Sequence, residues 1–260
     1  KPEQQSVVNS QRIETAINRR FHSFDKGIKV GVAKAKTDEY VELKLHPRYK
    51  NNIHRYVAVI RATALREAET ERNQRLSLLE KQLFDPITSS TAALQLEAIG
   101  KQGIEVLEKG IKATDPEVRF YAAEAMAYLD DGRAAEPLAD AARNVPAFRV
   151  FALPALSALD DAASVEQLRE LMKAPSAETR YGAFRALWTM NPKDPAVQGE
   201  ELAGQFGYHV LDLPGPAMAT LAFVGRTLAV QSVLDQMVGK GVIELAAAAG
   251  VVHHGCLGRA

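Results

Sequence analysis

The chain is poor in cysteine. Cys256 stands alone among 260 residues, so one copy cannot close a disulfide. That excludes a disulfide-stapled scaffold and leaves export open. No apolar run approaches the roughly 18 residues that a membrane-spanning helix needs. The sequence starts at Lys1 with neither methionine nor signal peptide. It therefore reads as a processed or truncated product whose missing part is able to carry an export signal. No nucleophile elbow, kinase or metalloprotease signature is present. His253, His254 and Cys256 are the one close set of soft ligands, and a zinc site needs three or four with partners that are absent here. Gly239-Lys240-Gly241 lacks the flanking pattern of a phosphate loop. These absences point to no metal, no cofactor and no catalytic set.

Net charge is also absent, with 32 Lys and Arg against 32 Asp and Glu, but the balance hides an asymmetry. Residues 1–66 hold 14 basic and 6 acidic side chains, and the rest hold 18 basic and 26 acidic. A basic head and an acidic body of equal and opposite charge are suited to dock on each other, or head to tail between copies. At 47% hydrophobic and 25% charged, the whole has the composition of a soluble globular protein, with room for one large or two smaller domains.

The most regular stretch runs from Asp115 to Met190. Arg119, Arg149 and Arg180 recur 30 and 31 residues apart. Small residues follow at matching offsets, Ala122, Ala152 and Ala183, then Ala125, Ala155 and Ala186. Leu129, Leu159 and Met190 close the three lines. A period of this length marks a solenoid of stacked supersecondary units. Each unit reads as two helices: 116–129 then 134–142, and 146–159 then 164–172. Pro116, Pro137 and Pro146 sit where a first turn accepts proline. Asp115 is a candidate N-cap, as are Asp161 and Ser164. Asp130-Asp131 and Asp160-Asp161 recur with the repeat, which makes them turn and cap residues rather than acid–base pairs. The alanines allow close helix approach, and the second helices are expected to line the concave surface.

Pro116-Glu117-Val118-Arg119, with looser copies at 146–149 and 177–180, resembles the short HEAT-repeat pattern. The resemblance covers about residues 86–195, including an earlier unit in which Ala92 and Ile99 precede Ala122 and Leu129 by 30 residues and Ser89 stands at the arginine position. It implies a helical-repeat, protein-binding architecture. Arg119, Arg149 and Arg180 are then either an inter-repeat ladder to acids or carbonyls, or the lining of a groove for an acidic partner.

In the head, 6–8 suits a short strand and Asn9-Ser10 a helix cap. Ile13, Ala16, Ile17 and Phe21 form one helical face. Ile28, Val30 and Val32, then Val41, Leu43 and Leu45, alternate as two strands around a turn at 37–39. His46-Pro47 ends the second strand. Asn51-Asn52 starts a helix with Ile53, Tyr56, Val57 and Ile60 on one face. The order is helix, strand, strand, helix, a small α+β unit. The runs 10–20, 33–43 and 51–60 resemble the flagellar P-ring protein, over about residues 7–66. That resemblance implies a periplasmic, non-enzymatic ring subunit around the flagellar rod, although the family lacks HEAT repeats. Its basic residues (Arg12, Arg19, Arg20, Lys26, Lys29, Lys34, Lys36) have few aromatics among them, so no nucleic-acid partner is expected.

The expected organisation is mainly α. A P-ring-like α+β domain (1–63) precedes a charged connector helix (64–85), a HEAT-like solenoid (86–195) and a C-terminal region (196–260). In the last of these, 207–213 looks like a strand of a possible β-containing cap. The expected function is structural or interactive. A cytoplasmic HEAT-like adaptor is the runner-up, and a HEAT-like lyase that attaches bilin chromophores is a third class.

Overall fold

Ser6 starts the first helix. Its hydroxyl accepts a hydrogen bond from the Asn9 amide, and α1 runs Val7–Arg20. The valine pair at 7 and 8, expected as a strand, is therefore helical, because the cap two residues upstream of Val8 satisfies an orphan amide. The computed structural model describes residues 6–202, 206–211 and 220–225. It divides into two units, Lys1–Ser164 and Val165–Ala260.

In the first unit, α1 is followed by two antiparallel hairpins: β1 (His22–Asp25) with β2 (Ile28–Gly31), and β3 (Ala33–Ala35) with β4 (Val41–Leu43). Four short strands thus replace the two expected. The turn between β3 and β4 is built on the Thr37 hydroxyl, which accepts from the Glu39 and Tyr40 amides. The edge of β3 is covered by α1 side chains. Asn18 brackets Ala33, donating to its carbonyl and accepting from its amide, and Glu14 accepts from the Ala35 amide at 2.6 Å. Gly31 is required beside them, since a Cβ there would fall 2.3 Å from Asn18 Cγ. Phe21, Tyr49 and Tyr56, all buried, form an aromatic core with ring centroids 5.2–5.7 Å apart. Helix α2 (Ile53–Ala62) is capped by the Asn52 side chain.

Helix α3 covers Glu69–Leu83, shorter than the expected connector, and chain from Thr63 to Ala68 separates it from α2. Leu79 and Leu83 are fully buried, and α3 packs on α4 (Ser89–Ile99), so it is part of the helical stack rather than a free rod. The stack continues through α5 (Ile104–Gly110), α6 (Pro116–Tyr128), α7 (Ala135–Asn144) and α8 (Pro146–Leu156). First helices α4, α6 and α8 pack in sequence, with α5 and α7 as their second helices. Asp115 caps α6 by accepting from the Glu117 and Val118 amides, and Pro116 takes the first turn. Ala122, Ala125, Ala152 and Ala155 have no exposed surface. A Cβ at Gly110 would lie 2.7 Å from Ala122 Cβ, so α5 and α6 meet at nearly backbone distance. Helix α9 (Ala162–Leu171) follows, with the Asp161 carboxylate accepting from the Ala163 amide.

The expected carboxylate pairs are corner residues. Asp130 adopts the left-handed conformation (φ 66°), which Asp tolerates better than most side chains. Its Oδ1 accepts from the Asp160 amide of the next corner at 3.2 Å. Asp131 accepts from the Arg133 amide and holds its guanidinium in a fork at 2.8 and 2.6 Å.

In the second unit, α10 (Ala177–Met190) is capped by Ser176 and buries Ala183, Phe184 and Leu187. An antiparallel sheet follows, β5 (Glu200–Leu202), β6 (Phe206–Leu211) and β7 (Thr220–Gly225), in the order β5-β6-β7. This is the β element expected near 207–213, extended by a strand on each side. Gly239-Lys240-Gly241, His253, His254 and Cys256 lie outside the described residues.

Candidate functional site

The three repeat arginines open their helices and bind backward along the chain. Arg119 Nη1 donates to the carbonyls of Ala113 and Thr114 at 2.9 and 2.6 Å. Arg149 Nε donates to Ala142 O at 3.3 Å, and Arg180 Nη1 to Ala174 O and Pro175 O, both at 2.8 Å. Ser89, at the equivalent place one repeat earlier, donates to Pro86 O. The common task is to tie each first helix to the carbonyls of the chain entering it. Arg180 is only 2% exposed.

The charges that unite the head with the repeats are different ones. Arg55, on α2, sends Nε and Nη2 to Glu97 Oε2 at 2.9 and 2.6 Å, and Nη1 to Glu124 Oε2 at 2.5 Å. Tyr49 Oη donates to the other Glu97 oxygen at 2.6 Å. The Arg55 guanidinium lies 4.8 Å from the centre of the Tyr128 ring, which stacks on Tyr49 at 4.8 Å. Glu97 is fully buried and Glu124 is 4% exposed. One cation from the head thus faces two buried carboxylates, one on α4 and one on α6. Beside it Arg48 pairs with Asp130, and Arg20 Nε donates to Glu97 O. These ion pairs tie the basic head to acidic side chains of the repeats in the first unit.

Burial sets the chemistry here. Desolvation, reinforced by Glu97, raises the Glu124 pKa above the usual carboxylate range, against the opposing pull of Arg55. Burial, then the Glu97 charge, moves the Tyr49 hydroxyl well above its ordinary value. Tyr49 therefore stays a protonated donor.

Above this cluster lies a groove of about 650 Å³, walled by α2, α4, α6 and α8. Phe120 and Phe148 stack at 4.2 Å with their planes 4° apart. Thr91, Tyr121 and Phe151 occupy equivalent positions 30 residues apart in α4, α6 and α8, and all three line it. Glu124 and Arg55 close its base. The groove belongs to the first helices, and the second helices, expected to line the concave surface, do not line it. The reason is local, since α7 spends its apolar side chains Leu138, Ala139 and Ala142 on buried packing.

This repeat geometry has a counterpart among known families. The PBS lyase HEAT-like repeat family matches residues 118–144. The match covers α6 from Val118 and all of α7, one helical pair. It supports a helical-repeat solenoid of HEAT-like units. No curated protein and no solved structure matches the chain.

Among the described residues, no group of three or more His, Cys, Asp or Glu side chains is placed to hold a metal ion. Among them, too, no helix is long and apolar enough to cross a membrane. Sequence reasoning passed over Tyr49, Arg55, Glu97, Glu124 and Tyr128. The available signal was a lone acid inside an alanine-rich apolar run, Leu94-Gln95-Leu96-Glu97-Ala98 and Ala122-Ala123-Glu124-Ala125. A charge there must find a partner or unfold the helix face.

Proposed function

We propose that the chain is a non-enzymatic interaction protein whose HEAT-like groove holds an apolar segment of a partner protein. The observation that carries this is the groove's aromatic wall. Tyr121, Phe148 and Phe151 line it, Phe148 is held in place by stacking on the buried Phe120, and Phe151 leaves 48% of its surface exposed at the rim. Exposed aromatic side chains around a concave site are the usual anchors for a bound chain. Arg55 and Glu124 pair with each other, so the base asks for no particular charge.

A photo-crosslinking side chain placed at Phe151, in the full chain within its own cells, is expected to give a discrete protein adduct. The same group at Glu136, exposed on α7, is expected to give none. Equal adducts from both positions, or none from either, overturn the groove as the binding surface.

The finer proposal is a periplasmic ring subunit at the flagellar rod. It is supported by the head's resemblance to the P-ring protein over residues 7–66. Co-sedimentation of the full-length protein with basal bodies in the periplasmic fraction is the expected result. A protein confined to the cytoplasm overturns it and leaves the groove reading intact as that of a cytoplasmic adaptor.

A further inference from the structure

A second cavity, of about 490 Å³, opens between the end of α1, the start of α3 and the corners that follow α4 and α6. Its wall holds six cations, Arg19, Arg20, Arg48, Arg72, Arg75 and Lys101, against two carboxylates, Glu67 and Asp130. Those carboxylates are already engaged. Asp130 pairs with Arg48, and Glu67 pairs with Arg75 at 2.7 Å and Arg72 at 3.5 Å. Arg19, Arg20 and Lys101 line the cavity without an ion pair among the described residues.

Arg20 is the sharpest case. Its guanidinium lies over the Phe21 ring, 4.6 Å from the centre, and Nε donates to Glu97 O, yet Nη2 is buried with no hydrogen-bond partner. His22 Nδ1, on the same wall, is also buried and unpartnered. A buried guanidinium nitrogen left without an acceptor is costly unless a ligand supplies one. The field agrees with this reading. Burial first, then neighbouring cations including Arg20, depresses the pKa of both His22 and His46. The end of α1 accounts for part of the charge, since cations favour a helix C-terminus, but not for Arg48, Arg72, Arg75 and Lys101, which come from elsewhere.

We propose that this cavity binds a soluble, phosphate-bearing small molecule carrying two or more negative charges. Fork-shaped guanidinium groups match phosphate oxygens. The volume lies in the range of small-molecule sites, roughly 300–1,000 Å³. A single phosphate leaves most of it empty, so the ligand is larger than inorganic phosphate.

The test is titration calorimetry of the full 260-residue chain with inorganic pyrophosphate at low ionic strength. Saturable one-to-one binding is expected, weakening as salt is raised. Arg20→Gln is expected to weaken it at least tenfold. The double variant Arg19→Gln, Lys101→Gln alters only exposed side chains, so its fold is safe, and it too is expected to lose at least tenfold. Lys26→Ser, on the exposed β1–β2 turn, is expected to bind as the parent does. Absence of saturable heat overturns the proposal. So does binding that the double variant leaves unchanged while circular dichroism shows it folded, since the anion then sits elsewhere. This outcome is independent of the groove, whose crosslinks do not involve the cavity.

Discussion

Arg55→Met is the substitution that tests the ionic cluster most directly. It keeps the apolar stem and deletes the guanidinium that faces Glu97, fully buried, and Glu124, 4% exposed. Breaking a buried pair from one side costs about 3–5 kcal/mol, because the surviving charge has neither water nor partner. For a unit of this size the loss corresponds to a fall in Tm of roughly 6–20 °C. Thermal and urea unfolding followed at 222 nm measures it. Adding Glu97→Leu and Glu124→Leu to Arg55→Met removes the stranded charges as well. That triple variant is expected to recover most of the loss, short by about 1 kcal/mol for the Tyr49 hydroxyl left without its acceptor. The single variant has a pH signature. The Glu124 carboxyl is already raised by burial, and without Arg55 it rises further. A raised acid stabilises the fold below its unfolded pKa and loses that contribution as pH climbs through the folded value. The deficit of Arg55→Met is therefore largest near neutrality and shrinks as pH falls toward about 4. A single variant that melts within about 1 kcal/mol of the parent refutes the reasoning. So does a triple variant that recovers nothing.

The repeat packing and its corners give further tests. Gly110→Ala places a methyl 2.7 Å from Ala122 Cβ and 2.9 Å from Leu83 Cδ2, and a destabilisation of about 1–3 kcal/mol in urea is expected. Ala122→Glu buries an unpaired charge between helices and is expected to abolish the cooperative transition. An unchanged melting curve would sink the repeat assignment. The Asp130 carboxyl is held below its ordinary range, chiefly by its hydrogen bond with Arg48. Its contribution is present above about pH 4 and is lost as pH falls through the lowered value. Asp130→Asn should thus be less stable at neutrality, with the gap closing in acid. Because that side chain is 43% exposed and screened, the gap is expected under about 1 kcal/mol in pH-resolved urea titrations.

The repeat was legible because its signal is local. Arg119, Ala122, Ala125 and Leu129 fall within one helix, and the same offsets recur a repeat later. Helical spacing and the need for small residues at a close contact are enough to locate α6, α8 and α10. Strand β1 was not legible, since His22-Ser23-Phe24-Asp25 shows no run of apolar alternation, and Phe24 is 69% exposed. The start of α1 was misjudged for a related reason. Two valines favour strand weakly, and the Ser6 cap decides the matter. The ionic cluster lay beyond reach altogether. Arg55 and Glu97 are 42 residues apart, in elements of different kinds, and no spacing rule connects them. The groove shared that fate in part: its repeat positions carry Thr91, Tyr121 and Phe151, three residues with no common chemistry.

The Arg55 cluster also bears on how the molecule is made. The head leaves the ribosome before its locking acids, Glu97 by 42 residues and Glu124 beyond that. Until α6 has emerged, Arg55 has only part of its counter-charge, and the Tyr49 ring has no Tyr128 to stack on. The later helices, by contrast, find their partners in the segment just synthesised, as α7 does with α6 and α8 with α7. Contacts of short range form early and those of long range late. The head, made before the repeats that lock it, is thus among the last parts to settle. A chain paused once residue 66 has cleared the ribosome would present a head with exposed aromatics and unmatched positive charge, a natural client for a chaperone.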